Sequence, residues 1–144
     1  EMCIRDRTLE EPEAVVFVAS KDAKLPEKEE YLLAELLNQP FFLTEKDSNY
    51  RYALEQELAS RHLGIRPFFE TRNPDVIIEL IKENQALSFL PRYAVEESLN
   101  DGSLRLLKVQ DFEMQMYRQL FYHKDKWITE EMKNFIALGE LSML

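Results

Sequence analysis

Apolar residues in this chain come in short clusters whose period changes every ten to twenty positions. Ala14-Val15-Val16-Phe17-Val18 is apolar at every position and β-branched at three, the pattern of a strand buried on both faces. A polar stretch from Ser20 to Glu30 follows, carrying Pro26, and reads as a surface connection. Tyr31 to Leu37 has the spacing of one or two amphipathic helical turns, stopped by Asn38 and Pro40. Pro40-Phe41-Phe42-Leu43-Thr44 predicts a second strand, and Tyr50, Ala53, Leu54 and Leu58 then mark one face of a helix closing at Gly64. Pro67-Phe68-Phe69-Glu70 predicts a third strand. Asn73-Pro74-Asp75 is a helix start: a cap, a proline at the first position, and an acid at the positive end of the dipole. Val76, Ile77, Leu80 and Ile81 supply that helix's buried face, and Ala86 to Pro91 is again a strand.

Strand, helix, strand, helix, strand within so short a span predicts a parallel sheet with crossover helices. Beyond it, Tyr93 to Leu99 reads as a helix, Asn100-Asp101-Gly102 as a turn, and Leu104 to Val109 and Met114 to Tyr122 as strands. A last helix over 128–139 is capped by Thr129. Residues 1–8 show no apolar periodicity and read as a disordered end or a scar, and Glu10, Glu11 and Glu13 as a solvated acidic run.

Composition narrows the function classes. The 144 residues are enough for one domain, and 45% hydrophobic content is enough for a core. Eighteen Lys and Arg against twenty-seven Asp and Glu leave a net charge of −9, which argues against a grip on nucleic acid by this segment. The lone Cys3 offers no internal disulfide and fits a reducing, cytoplasmic setting; no apolar run is long enough to span a membrane.

Candidate chemistry is sparse. His62 and His123 lack the neighbours of a metal site, and Ser60 and His62 point to different sides of their helix. Met114 and Met116 read as strand packing, and three glycines build no phosphate-cradling loop. No catalytic residue, metal ligand or cofactor is assigned, and the chain reads as a binding protein rather than an enzyme. In an open parallel sheet, ligands sit at the carboxyl ends of the strands, where helix N-termini point. Those ends bring together Thr44, Ser48 and Asn49; Thr71, Arg72 and Asn73; and Phe89 with Pro91. Taken singly, Ser48 and Asn73 are helix caps and Thr44 and Thr71 are strand residues; their convergence points to a small-ligand cleft. Arg72 or Lys46 would meet a carboxylate on such a ligand.

The segments NQPFFLTEKDSNYR (38–51), Pro67 to Glu70, and VIIELIKENQALSFLP (76–91) together resemble the effector-binding domain of LysR-type transcriptional regulators. Residues 120–138 resemble that domain's last strand and helix, and Ala14 to Leu25 the strand crossing between its subdomains. The resemblance implies an α/β, periplasmic-binding-protein-like (type 2) architecture of two subdomains, one Rossmann-like subdomain complete and the other partial. Residues 26–110 would form the second, effector-binding subdomain, and residues 9–25 and 111–144 the returning parts of the first. A small-molecule effector would lie between the two. DNA would be reached only through an N-terminal winged helix-turn-helix absent from this chain. Homo-oligomers would form through the Tyr50 to Leu63 helix, whose outward residues are taken as Arg51, Glu55 and Arg61. Asn84-Gln85-Ala86 departs from the family, which carries a Gly-x-Gly-like segment there. The chain also begins where the family is already partway through, so the strand at 14–18 and the helix at 128–139 would expose apolar faces. The competing reading is a fragment of a periplasmic-type solute-binding protein, which shares the two-lobed architecture.

Overall fold

The computed structural model describes residues 6–123, with side chains described over 12–117. The final helix expected at 128–139, its Thr129 cap and Cys3 lie outside the described residues. The elements run β1 (Asp6–Ser20), α1 (Leu33–Leu36), β2 (Phe42–Thr44), α2 (Asn49–Ser60), β3 (Phe69–Thr71), α3 (Pro74–Asn84), β4 (Leu87–Pro91), α4 (Arg92–Asn100), β5 (Leu104–Leu107) and β6 (Met114–His123). The chain falls into two compact units: residues 15–114, and residues 1–14 with 115–144. In the second of these the described elements are strand, and β6 pairs with β1.

The 15–114 unit is built around the apolar end of β1. This strand pairs antiparallel with β4, Phe17 opposite Phe89, and antiparallel with β5 on its other edge, Phe17 opposite Leu107. β2 and β3 pair in parallel, Thr44 opposite Thr71. A single parallel bridge, Phe41 to Leu87, with the Leu87 N–H donating to the Pro40 carbonyl at 2.9 Å, joins the two ladders. The sheet is therefore mixed rather than parallel throughout, because β1 threads between β4 and β5 in the opposite direction. That pairing also corrects the expected apolar exposure at 14–18: Phe17 and Val18 are 3% and 0% exposed, covered by partners within their own unit.

Continuous apolarity in β1 is used on both faces, as its pattern requires. Val18 packs with Ile77, Ile78, Ile81, Leu90, Val95 and Leu104, the side covered by α3 and α4. Phe17 alternates to the opposite face and meets Phe89 at 4.6 Å between centroids, with Phe41 and Phe112 edge-on at 6.1 and 5.7 Å. β1 also begins earlier than its apolar run, and Glu13, expected on a solvated face, is buried.

Helix ends follow local chemistry at the start of α3, but α2 and α3 both close on left-handed residues other than glycine. Asn73 caps α3, its Oδ1 accepting the Asp75 N–H at 2.9 Å, with Pro74 at the first position. α2 ends at Ser60, before the expected Gly64. His62 takes the left-handed turn (φ 58°), while the Leu63 N–H reaches the Leu58 carbonyl at 2.8 Å and the His62 N–H that of Ala59 at 3.0 Å. This is a Schellman closure, and histidine is among the residues that tolerate its backbone better than most. Gln85 takes the same conformation after α3 (φ 54°), within the segment where the resemblance leads one to expect glycine. Among the described residues, no helix is long and apolar enough to cross a membrane.

Candidate functional site

β2 and β3 end side by side because they are parallel and in register, Thr44 opposite Thr71. Each hands over within a few residues to a helix whose N-terminus opens on the same edge. At the first, Ser48 caps α2: its Oγ accepts the Arg51 N–H at 3.4 Å and lies 2.9 Å from the Thr44 Oγ1. At the second, the Thr71 Oγ1 accepts the Asn73 N–H at 3.4 Å, and Asn73 caps α3. Thr44 is buried, Ser48 and Thr71 are half-buried, and Asn49, Arg72 and Asn73 are exposed.

The structure thus brings six of the eight candidate residues to one edge, with Pro91 buried at the end of β4, where α4 begins. Phe89 is placed otherwise. It is 1% exposed and packed against Phe17, Phe112 and Tyr50, so it acts as a floor beneath the edge.

The electrostatics of this edge are set by two arginines. Arg51, expected on the outer face of its helix, is instead 1% exposed. Its Nη1 donates to the Thr44 carbonyl at 2.7 Å and to the Glu70 Oε2 at 2.6 Å, while Nε donates to the Glu55 Oε2 at 2.9 Å. One side chain therefore ties the end of β2, the end of β3 and the first turns of α2 together. The signal was in the spacing: Arg51, Leu54 and Leu58 recur at i, i+3 and i+7 on the buried stripe of α2. A charge on an apolar stripe reads as solvent-facing until its partners are known.

Arg72 is exposed and held by two acids, Nε to Glu45 at 2.9 Å and Nη2 to Asp47 at 3.3 Å. Its hydrogen bond to Glu45 and the nearby Asp47 charge raise its pKa further above the usual arginine value. Tyr50, expected only as part of the buried face of α2, is half-buried in its first turn. Burial pushes the Tyr50 phenol up, a hydrogen bond with Thr44 pulls it down, and the neighbouring Tyr93 adds to the rise.

Away from this edge, a hollow of about 360 Å³ lies around Arg61, Asp111 and Phe112, and one of about 340 Å³ lies between α3 and α4. Among the described residues, no group of three His, Cys, Asp or Glu side chains could hold a metal ion.

A mixed sheet with helix N-termini converging on its strand ends is the arrangement in which open α/β domains take ligands. Residues 7–140 match the model of the LysR substrate binding domain, and the chain belongs to that family. Its sequence is 29% identical over 125 residues to the HTH-type transcriptional regulator YwqM of Bacillus subtilis, spanning 86% of this chain and 42% of YwqM. It is 25% identical over 128 residues to the HTH-type transcriptional activator CmpR of Synechocystis, spanning 89% of this chain and 41% of CmpR. The chain thus spans about two-fifths of the curated relatives it matches. Among solved structures, it is similar in fold to the Synechocystis CcmR regulatory domain in complex with 2-PG, with a TM-score of 0.70 at 17% identity, covering 97% of this chain and 68% of that one. The effector binding domain of QuiR in complex with shikimate superposes with a TM-score of 0.67 at 14% identity, covering 96% and 64%.

Proposed function

We propose that this chain is the effector-sensing part of a cytoplasmic, LysR-type transcriptional regulator, and that it is not an enzyme. A small metabolite binds at the strand-end edge of residues 26–110, the effector-binding subdomain, through Thr44, Ser48, Asn49, Thr71, Arg72 and Asn73, beside Pro91 and above Phe89. The observation that carries this reading is the in-register pairing of Thr44 with Thr71, which sets two capped helix N-termini on one edge. DNA is contacted through a separate helix-turn-helix segment, to which the −9 charge of this chain is unsuited. Effector binding then acts on DNA by favouring one conformation of the regulator over another.

The test is a thermal-shift screen of the chain against small metabolites, repeated on Thr44→Val and Thr71→Val. A ligand that stabilises the parent chain and loses its effect in both variants supports the reading. A screen without stabilising ligands, or ligands indifferent to both substitutions, rejects it.

The same regulator forms homo-oligomers through the Tyr50 to Leu63 helix. With Arg51 turned inward, the outward face carries Tyr52, Gln56 and Ala59 at i, i+4 and i+7, and Tyr52 is 60% exposed. Sedimentation of the chain and of Tyr52→Glu tests this; a dimer that persists in the variant rejects that helix as the interface.

A further inference from the structure

The hollow of about 340 Å³ between α3 and α4 is lined from α3 by Asp75, Ile78, Glu79 and Lys82, the spacing of one helix face. From α4 it is lined by Ala94, Glu97 and Ser98, with Asp101 at that helix's end. Ala94 and Ser98 are small side chains one turn apart, and they leave the space open. Four carboxylates and one ammonium surround it, an excess of three negative charges. Lys82 Nζ pairs with Glu79 at 3.4 Å, and Ser103 hydrogen-bonds the Asp101 carboxylate. Asp75 and Glu97, one on each helix, have no ion-pair partner among the described residues. Glu97 also lies in the last turn of α4 and Asp101 at its cap, the negative end of the helix dipole, and that turn holds no basic residue. Acids at that end weaken the helix unless a cation reaches them.

Ser98 supplies a separate observation. It is 7% exposed and lines the same hollow. Its carbonyl accepts the Ser103 hydroxyl at 3.4 Å, but its own Oγ has no hydrogen-bond partner among the described residues. A buried hydroxyl left this way is satisfied by a ligand that brings a donor. Among the described residues, no three acids are placed to hold a metal ion, so the cation that suits this hollow is an organic one. The lining positions span eight residues on each helix, about 10 Å along the axis, which accommodates an extended chain with several ammonium groups.

We propose that the hollow between α3 and α4 binds a linear aliphatic polyamine. One ammonium donates to the Ser98 Oγ and the Glu97 carboxylate, another lies toward Asp75, and the methylenes run against Ile78 and Ala94. This site stands whether or not an effector binds at the strand-end edge.

Spermidine is the probe. It is titrated into the isotope-labelled chain at about 0.15 M salt, which screens the long-range pull of the −9 net charge. Binding is followed through the backbone amide signals of Glu79, Ala94, Glu97 and Ser98. Saturable shifts confined to α3 and α4 are expected. Glu97→Gln and Ser98→Ala should each weaken binding by roughly three- to ten-fold. Ala94→Met fills the hollow without changing the charge and should abolish binding. Glu29→Gln removes the same charge from an exposed residue that does not line the hollow, and should leave binding unchanged. Unfolding temperatures close to the parent's separate these effects from loss of fold. Shifts spread over the whole surface, or equal weakening by Glu97→Gln and Glu29→Gln, would mean attraction to net charge alone and overturn the inference. Unmoved signals overturn it too, as does magnesium ion moving the same signals as strongly as spermidine.

Discussion

Arg51 joins three elements through one guanidinium, so its replacement tests the architecture of the edge directly. Arg51→Met keeps most of the aliphatic volume and removes the charge and its donors. The Thr44 carbonyl, beside a side chain 3% exposed, loses a charged donor at 2.7 Å, an interaction of about 1.5–3 kcal/mol. Glu55 and Glu70 lose their partner but are 27% and 37% exposed, so both can turn to water and each ion pair contributes about 1 kcal/mol or less. Methionine recovers part of the loss by burying an apolar side chain where a charge had been desolvated. The net expectation is a destabilisation of about 2–3 kcal/mol, below the ~3–5 kcal/mol of breaking a fully buried pair. Urea unfolding followed by circular dichroism reads it as a lower midpoint with an unchanged slope. Glu70→Gln should cost about 1 kcal/mol, and the double variant less than the sum of the two, because both act on one contact. If Arg51→Met falls within about 0.5 kcal/mol of the parent, as surface substitutions do, the guanidinium does not hold the strand ends together and the reasoning is refuted.

Three further outcomes are expected. Gln85→Gly places the residue without a Cβ at φ 54° and should stabilise the chain by up to about 1 kcal/mol in the same urea assay; a loss would mean that the Gln85 side chain contributes more than the strain it brings. Phe89→Ala removes a ring 4.6 Å from Phe17 and 5.8 Å from Phe112 and should cost about 3–5 kcal/mol, measured by thermal unfolding. The Ser103 hydroxyl and N–H hydrogen-bond the Asp101 carboxylate and hold it below the usual carboxylate range. Its folded value lies below its unfolded one, so its contribution is present above the unfolded pKa near 3.9 and is lost as pH falls through the folded value. Asp101→Asn should therefore flatten the acid limb of the stability profile, and an unchanged limb would rule that contribution out.

Residue types and spacing alone determined the order of strands and helices from Ala14 to Tyr122, the cap at Asn73, the turn at Asp101-Gly102, and the strand ends where Thr44, Ser48, Thr71 and Asn73 would meet. These rest on backbone rules that act over a few residues: capping, proline placement, and the switch between a period of two and a period of 3.6. Partners far along the chain were decided by the tertiary structure. Asp111 caps α1 through the Leu33 N–H at 2.9 Å, from 78 positions away. β1 runs antiparallel between β4 and β5, a direction that no local pattern encodes. Arg51 lies inside because Glu55, Glu70 and the Thr44 carbonyl compensate its charge there, and two of those three come from other elements. A charged side chain has no fixed side of a helix until its partners are in place, since water and a ring of carboxylates compete for it on nearly equal terms.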